Sequence, residues 1–295
     1  MWIYYVLLAV MMWSVSDTIA KIMIDHFVKH PFNLLMFIGL TAGGVSLATG
    51  MVAGGFSAPW PAPVALAGGL LWFLGSTTYM KALEVEELSR VAPLIFIKPI
   101  VVLVIAYFLL GEVFTLPKYA GIAVLLVGAV LLTLRREGNL LKKSSAIKYV
   151  AGFVLAWGLL DVFAKYYLDN YVSFLGWITY FLMGIALSTS VFWLSKEMRA
   201  GFFVSFSPPK VFIAELVGAL FIMLAMFPFA YALTLGPVTL ISAANATQTL
   251  FTVLLASAVT LFMPKMLSEG IDKKSILLKF IAVALIILGV YLVSI

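Results

Sequence analysis

The chain of 295 residues has no cysteine, two histidines and few charged side chains. The absence of cysteine excludes disulfide bridges, thiol chemistry and thiolate metal sites. His26 and His30 are too few to hold a metal ion, and they lie beside Pro31 in an expected loop. Charged residues are 11% of the chain, against about 25% in soluble domains. These shortages exclude a soluble enzyme and a nucleic-acid-binding module, and we expect neither a metal nor a cofactor.

The catalytic motifs of known membrane enzymes are also missing from the sequence. No glycine-rich phosphate loop is present, so ATP hydrolysis is not expected. Asp17 follows a serine and Asp161 follows a leucine, whereas the intramembrane aspartyl proteases carry Tyr-Asp and Gly-x-Gly-Asp. We therefore predict that the protein is not an enzyme.

Apolar residues make up 64% of the chain and gather in long, uninterrupted runs. A helix needs about 20 such residues to cross a bilayer, whereas the strands of a membrane barrel alternate in polarity. The runs therefore predict an all-α polytopic membrane protein with ten transmembrane helices. The predicted segments are residues 2–24, 32–54, 62–82, 88–110, 117–134, 147–168, 173–195, 211–233, 238–262 and 276–294.

The lysines and arginines of the predicted loops are distributed unevenly between the two faces of the membrane. Loops on the face opposite the N-terminus hold fifteen of them, and loops on the N-terminal face hold only Lys118. Basic residues mark the cytoplasmic side of membrane proteins, so we attribute the net charge of +6 to this bias. We predict a multi-pass protein of the cell (inner) membrane with both termini outside the cytoplasm.

The first and sixth predicted segments share a spaced set of residues. Every residue of this set recurs 144 positions later in the chain, and tryptophan occurs only seven times, so coincidence is a poor explanation. Further along the offset grows to 150, which aligns Lys98 with Gln248. The pairs at offset 144 are Trp13 and Trp157, Asp17 and Asp161, Ala20 and Ala164, and Lys21 and Lys165.

This repeat divides the chain into two five-helix halves, residues 1–138 and 139–295. Because five is odd, the second half enters the membrane inverted relative to the first. The basic loops agree with the inversion, since they are the first and third in one half and the second and fourth in the other. Inverted repeats are the architecture that many secondary transporters use for alternating access.

The repeat resembles the drug/metabolite transporter superfamily, specifically its ten-helix EamA-type members. The two halves begin with Trp-Ser-x-x-Asp and Trp-Gly-x-x-Asp, which resemble the first-helix signature of that family. The resemblance implies two interleaved five-helix bundles around a central cavity, and export or exchange of a solute. The second half departs from the pattern, because Thr249 stands where the first half has Pro99. The resemblance is carried further by Ala82, Leu83, Ser89, Ala92, Pro93, Pro99, Gly111, Glu112, Gly121 and Gly128.

Ionisable residues inside the membrane are costly and are candidates for function. Asp17 and Lys21 are four residues apart, so they share a helix face with Trp13. In one interpretation this group and its equivalent are two gates at opposite ends of the protein, whose contacts exchange during transport. In the other, each aspartate neutralises its own lysine, which extends towards the headgroups. The equivalent group consists of Asp161, Lys165 and Trp157, and Glu215 is a further embedded candidate.

Lys98 lies midway along the fourth predicted segment, too deep to reach the headgroups easily. Its repeat partner Gln248 is also polar and, with Asn245, forms a polar turn in the other half. In the first interpretation Lys98 binds a carboxylate or phosphate of the substrate, and the amides complete the hydrogen bonding. In the second, Lys98 is a structural counter-ion to Asp17 or Glu215.

Among the many aromatic residues, Tyr79 and Tyr231 are the candidates for contact with a substrate, because they lie near equivalent ends of the third and eighth segments. The sequence therefore favours a secondary transporter of a small organic metabolite such as an amino acid. A flippase for a lipid-linked or lipid-headgroup substrate and a non-transporting membrane scaffold are the alternatives. The expected partners are a small molecule and the lipid bilayer, with protons as a candidate coupling ion through Asp17 or Asp161.

Overall fold

The computed structural model describes residues 1–52, 62–85, 97–133, 146–262 and 273–295. In this part of the chain the ordered elements are helices and no strand occurs. The family-like residues Ser89, Ala92 and Pro93 lie outside the described residues, as does the first part of the predicted segment 88–110. Many of the basic loop residues, in 134–145 and 263–272, lie outside them as well.

One short 3₁₀ segment, Ala62–Ala65, precedes the third helix, and another, Ser190–Leu194, follows the seventh. The helices are α1 (Trp2–His26), α2 (Phe32–Val52), α3 (Leu66–Val85), α4 (Lys98–Leu110), α5 (Leu116–Thr133), α6 (Ile147–Asn170), α7 (Phe174–Thr189), α8 (Lys196–Phe206), α9 (Pro209–Leu235), α10 (Val238–Asn245), α11 (Gln248–Phe262) and α12 (Lys273–Ser294).

Within the described residues, six helical segments are long and apolar enough to cross a membrane. Three shorter apolar helices, Lys98–Leu110, Leu116–Leu131 and Ile281–Ser294, accompany them. The protein is therefore a multi-pass helical membrane protein, and the number of ten spans stays a prediction. The six long segments are Trp2–His26, Phe32–Val52, Ile147–Asn170, Phe174–Leu194, Pro209–Leu235 and Val238–Phe262.

The connection between the seventh and eighth predicted segments contains a helix, α8, that the apolar pattern did not indicate. Ser195 caps its start by accepting a hydrogen bond from the backbone N–H of Met198 at 3.3 Å. Phe202 and Phe206 bury one face of α8 against Phe37 of α2. The opposite face carries exposed residues such as Phe203, which suits a helix lying in the membrane interface.

The ninth predicted segment, 238–262, is interrupted between α10 and α11. At the interruption, the N–H groups of Ala246 and Thr247 donate to the carbonyls three residues earlier, Ala243 and Ala244, both at 3.0 Å. Such bonds tighten the chain into a 3₁₀-type turn. The break lies directly between Asn245 and Gln248, two of the candidate site residues.

The helices pack in four long pairs. α1 lies along α9 and α6 lies along α3, so each helix carrying the Trp-x-x-x-Asp group packs on a helix of the other half of the chain. α2 lies along α7, and α5 lies along α12. In addition, α4 contacts α6 and α11 contacts α1. These last contacts bring the candidate polar residues of α4 and α11 to the two aspartates.

Glycines let several of these pairs approach closely. A side chain on Gly69 of α3 would collide with the backbone of Gly184 in α7, and a side chain on Gly184 would collide with the carbonyl of Leu66. In the pair of α5 and α12, a side chain on Gly121 or Gly128 would press on the facing helix. These positions therefore serve close helix packing, as small residues do in membrane helices.

Glu112 ties the end of α4 to the start of α10. Gly111 ends α4 with a φ of 68°, the left-handed conformation that glycine adopts most readily. The Glu112 carboxylate then accepts hydrogen bonds from the backbone N–H groups of Val238 at 2.7 Å and Thr239 at 3.1 Å. A carboxylate at a helix N-terminus satisfies free donors and favours the helix dipole, so the Gly-Glu pair joins the two halves.

Replacing Gly184 with alanine should destabilise the protein by about 1–3 kcal/mol, because the added methyl group meets the backbone of α3. Gly44→Ala is the matched control, since a side chain there meets no atom within 4 Å. Denaturation of both variants by titration with SDS measures the effect. Equal stability of the two variants would show that α3 and α7 are not in close contact.

Candidate functional site

Lys98 and Asp161 form a buried ion pair between α4 and α6. Their residues are 6% and 5% exposed, and Nζ of Lys98 lies 2.8 Å from Oδ2 of Asp161. The Lys98 ammonium also lies 6.0 Å from the ring centroid of Trp157, one turn before Asp161 on α6. Lys98 is therefore a counter-ion, as one interpretation predicted, but its partner is Asp161 and neither Asp17 nor Glu215.

Asp17 is held by an amide group and not by a cation. Nε2 of Gln248, the first residue of α11, donates a hydrogen bond of 2.7 Å to Oδ2 of Asp17. A second link supports this contact, because Oγ of Ser14 donates to the Gln248 carbonyl at 3.1 Å. Asp17 is exposed, although the residues on either side of it in α1 are buried. Within the described residues no cation pairs with its carboxylate.

The two contacts are equivalent under the repeat. Asp17 and Asp161 correspond at offset 144, and Lys98 and Gln248 correspond at offset 150. In each contact, an aspartate on the first predicted segment of one half binds a polar residue on the fourth predicted segment of the other half. These segments are α1 with α11, and α6 with α4. They differ in charge, since the contact of Asp161 is a neutral ion pair and that of Asp17 retains one negative charge.

One interpretation of the sequence paired each aspartate with the lysine four residues later, and the described residues do not show this pairing. Lys21 pairs with Asp25 at 2.8 Å, and Lys165 pairs with Asp169 at 2.9 Å. Lys165 also donates to the carbonyl of Leu233 at 2.8 Å. Both lysines thus extend along their helices away from the deeper aspartates, as long cationic side chains do near a membrane interface.

Trp157 packs α6 against α3. Its indole Nε1–H donates to the carbonyl of Trp72 at 3.3 Å, and the two rings stack with centroids 6.3 Å apart. Gly75 provides the space, because a side chain there would collide with the Trp157 ring. The equivalent Trp13 packs on Phe229 of α9, with ring centroids 5.1 Å apart.

A series of aromatic rings leads to the ion pair of Lys98 and Asp161. The Tyr79 ring contacts that of Phe153 at 5.3 Å between centroids, and Phe153 contacts Trp157 at 5.0 Å. Trp157 in turn lies beside Lys98, so this region links Tyr79 to the ion pair.

Among the described residues, the ring contacts of Tyr231 lie outside this region. Its ring packs against Tyr5 at 4.7 Å and Phe174 at 5.8 Å between centroids. These residues lie at the start of α1 and of α7. Tyr231 therefore belongs to the end of the molecule at which α9 finishes.

Two polar residues that precede Asn245 on α10, Thr239 and Ser242, were not predicted from the sequence. Oγ1 of Thr239, Oγ of Ser242 and Oδ1 of Asn245 are all buried without a hydrogen-bond partner in the described part of the chain. Their spacing of three residues places them along one face of the helix. This regular spacing is visible in the sequence, and it would have found them. Buried polar groups without partners are sites at which water or a ligand binds.

Glu215 on α9 is also buried, at 3% exposure, and it has no ion-pair partner among the described residues. No group of three or more His, Cys, Asp or Glu side chains that could hold a metal ion occurs in the residues described. The site thus consists of carboxylates, a lysine, amides, hydroxyl groups and aromatic rings.

These features define a helical membrane protein with polar contacts between its helices. Residues 1–134 match the model of the EamA-like transporter family, which is part of the drug/metabolite transporter superfamily, and this confirms the resemblance seen in the sequence. A solved crystal structure is similar in fold, with a TM-score of 0.74 and 18% sequence identity over 99% of this chain and 95% of the other. Among curated proteins no match was found.

Replacing Asp161 with asparagine should destabilise the protein by about 3–5 kcal/mol, because it leaves a buried lysine without its counter-ion. The double variant Lys98→Gln and Asp161→Asn should recover much of this loss, since neither charge remains. SDS titration of the two variants measures the difference. Equal destabilisation in the single and double variants would show that the ion pair does not form.

Proposed function

We propose that the protein is a secondary transporter that exports or exchanges a small organic metabolite, such as an amino acid, by alternating access through a central cavity. The observation that carries this proposal is the pair of equivalent contacts, Asp17 with Gln248 and Asp161 with Lys98. Each contact joins the first predicted segment of one half to the fourth predicted segment of the other. The residues of the two contacts correspond to each other in the repeat. The match of residues 1–134 to a transporter family supports the same class of function.

An inverted repeat of residues 1–138 and 139–295 is part of this proposal. The reciprocal packing of α1 on α9 and α6 on α3 supports it, because a two-fold relation between the halves exchanges these pairs. A contact between two connections supports it as well. The backbone N–H of Lys29 donates to Ser205 at 3.3 Å, which places the first connection of one half beside the second connection of the other.

The charges of the region suggest how a zwitterionic solute binds. Asp17 carries the uncompensated charge, so it attracts the ammonium group of the solute. The carboxylate of the solute competes with Asp161 for Lys98. A zwitterion therefore carries a charged group for each contact, whereas a simple anion is repelled by the charge of Asp17.

Other groups complete the proposed site. The unpartnered polar atoms of Thr239, Ser242 and Asn245 offer hydrogen bonds, and Tyr79 offers an aromatic surface. Alternating access exchanges the two equivalent contacts, so that Asp17 and Asp161 act as gates together with Trp13 and Trp157. We place the protein in the cell (inner) membrane with both termini outside the cytoplasm, because of its Lys and Arg distribution.

A flippase for a lipid-linked or lipid-headgroup substrate is the second candidate function. A groove of about 310 Å³ lies between α4 and α6 and is lined entirely by apolar residues, including Val101, Val150 and Val154. Such a lining accepts an acyl chain. The third candidate, a non-transporting scaffold, agrees with the ion pair of Lys98 but leaves the exposed charge of Asp17 without a role.

Exchange in proteoliposomes tests the proposal. Wild-type protein loaded with a mixed pool of amino acids, organic anions, phosphorylated metabolites and amines should exchange a zwitterionic or cationic solute. Asp17→Asn should reduce this exchange at least about tenfold, because the ammonium group loses its charged partner. Radiolabelled solutes and internal solute analysis measure the rate.

Asp25→Asn is the matched control, because Asp25 pairs with Lys21 at the exposed end of the same helix. It should leave the exchange rate within about twofold of wild type. Exchange that Asp17→Asn leaves unchanged would remove Asp17 from the site. Folded protein that exchanges no soluble solute but scrambles fluorescent lipid would establish the flippase instead.

A further inference from the structure

A polar pocket separate from the candidate transport site lies at one end of the molecule, between the α1–α2 connection and α8. Its volume is about 320 Å³, near the lower end of the range of about 300–1,000 Å³ for ligand sites. The polar residues that line it are Lys29, His30, Asn33 and Glu197. None of them takes part in the contacts of the candidate transport site.

Two of these side chains are buried without hydrogen bonds. Asn33 is 0% exposed, and both Nδ2 and Oδ1 of its amide have no partner within the described residues. Nδ1 of His30 is buried without a partner as well. An unpaired buried amide costs free energy, so these groups are candidates for hydrogen bonds to a bound molecule.

Gly201 of α8 lies directly beside the Asn33 amide. A β-carbon at this position would lie 2.9 Å from Nδ2 of Asn33. The glycine therefore lets α8 lie close to the amide, and both residues line the pocket. Any larger residue would press on the amide and reduce the pocket.

The two charged residues of the pocket do not neutralise each other. Lys29 and Glu197 line the same space and are exposed, yet neither forms an ion pair with any residue described. A positive and a negative group with room between them match a ligand that carries both charges. The cation attracts a phosphate, and the carboxylate attracts an ammonium group.

The fold itself does not require these polar residues. At the repeat offset of 144, Ser173, Phe174 and Trp177 stand in place of Lys29, His30 and Asn33. Trp177 is buried and stacks on Phe181, with ring centroids 5.5 Å apart. An apolar ring therefore fills this position in the other half. Packing alone thus does not explain why Asn33 places an unpaired amide there.

We propose that this pocket binds a phosphoethanolamine group, with its phosphate at Lys29 and Asn33 and its ammonium at Glu197. The neighbouring surface of α8 exposes Phe203 and Val204, beside which the acyl chains of a phosphatidylethanolamine molecule find apolar contact. The soluble compound phosphoethanolamine carries the same group. This binding is independent of the proposed transport, because it uses none of the residues of that site.

Native mass spectrometry of the purified full chain in detergent tests the proposal. Phosphatidylethanolamine added to the protein should give a bound adduct at a concentration about tenfold lower than phosphatidylcholine, whose quaternary amine donates no hydrogen bond to Glu197. Asn33→Leu and, separately, Glu197→Gln should each weaken the phosphatidylethanolamine adduct about tenfold. Glu197→Gln should also abolish the preference over phosphatidylcholine.

Lys196→Gln is the matched control, since Lys196 is exposed on α8 and does not line the pocket. It should retain the wild-type adduct. Displacement of the lipid by soluble phosphoethanolamine assigns the group to a free metabolite, and persistence of the lipid adduct assigns it to the bilayer. Equal adducts with both lipids in the wild type, or an adduct that survives Glu197→Gln, would overturn the proposal.

Discussion

A charge inside a membrane protein must find a partner, because hydrocarbon offers it neither water nor counter-ions. Much of this structure follows from how that requirement is met for two aspartates. Asp161 takes a lysine from α4, and Asp17 takes an amide from α11. Each partner comes from a distant part of the chain, so satisfying the aspartates also fixes which helices lie together. The packing of the long helices then buries the contact of Asp161 and leaves Asp17 exposed.

The difference between the two contacts is as informative as their equivalence. A neutral ion pair stabilises one side, whereas the other keeps an exposed carboxylate held by one amide hydrogen bond. A buried ion pair is costly to break, and a single amide bond is not. The contact of Lys98 is therefore harder to break than the contact of Asp17. This asymmetry supports our proposal that Asp17 recognises the ammonium group of the solute. The proposed solute therefore carries a cationic group as well as the anionic group expected from Lys98 alone.

The helices could be predicted from the sequence wherever long apolar runs define them. Segment 211–233, for example, lies within Pro209–Leu235, because length and hydropathy decide a membrane helix almost alone. The short helix α8 escaped prediction because its burial depends on aromatic contacts with α2. The partners of the aspartates escaped it for a similar reason. The sequence suggests the nearest lysine on the same helix, whereas the actual partners lie 231 and 63 positions away. Residues such as Thr239 and Ser242 were overlooked because hydroxyl groups are ordinary in membrane helices.

We propose that the two halves are inverted, so that Asp17 and Asp161 have equivalent contacts on opposite sides. The chain has no cysteine, so single cysteines can be placed without a background. His26 and Asn170 occupy equivalent positions at offset 144, and both are exposed at the C-terminal ends of α1 and α6. The measurement is labelling of His26→Cys and Asn170→Cys in intact cells with a membrane-impermeant maleimide. If the halves are inverted, Asn170→Cys should react from outside, and His26→Cys should react only after the cells are opened. Reaction of both cysteines from the same side would contradict the inverted repeat.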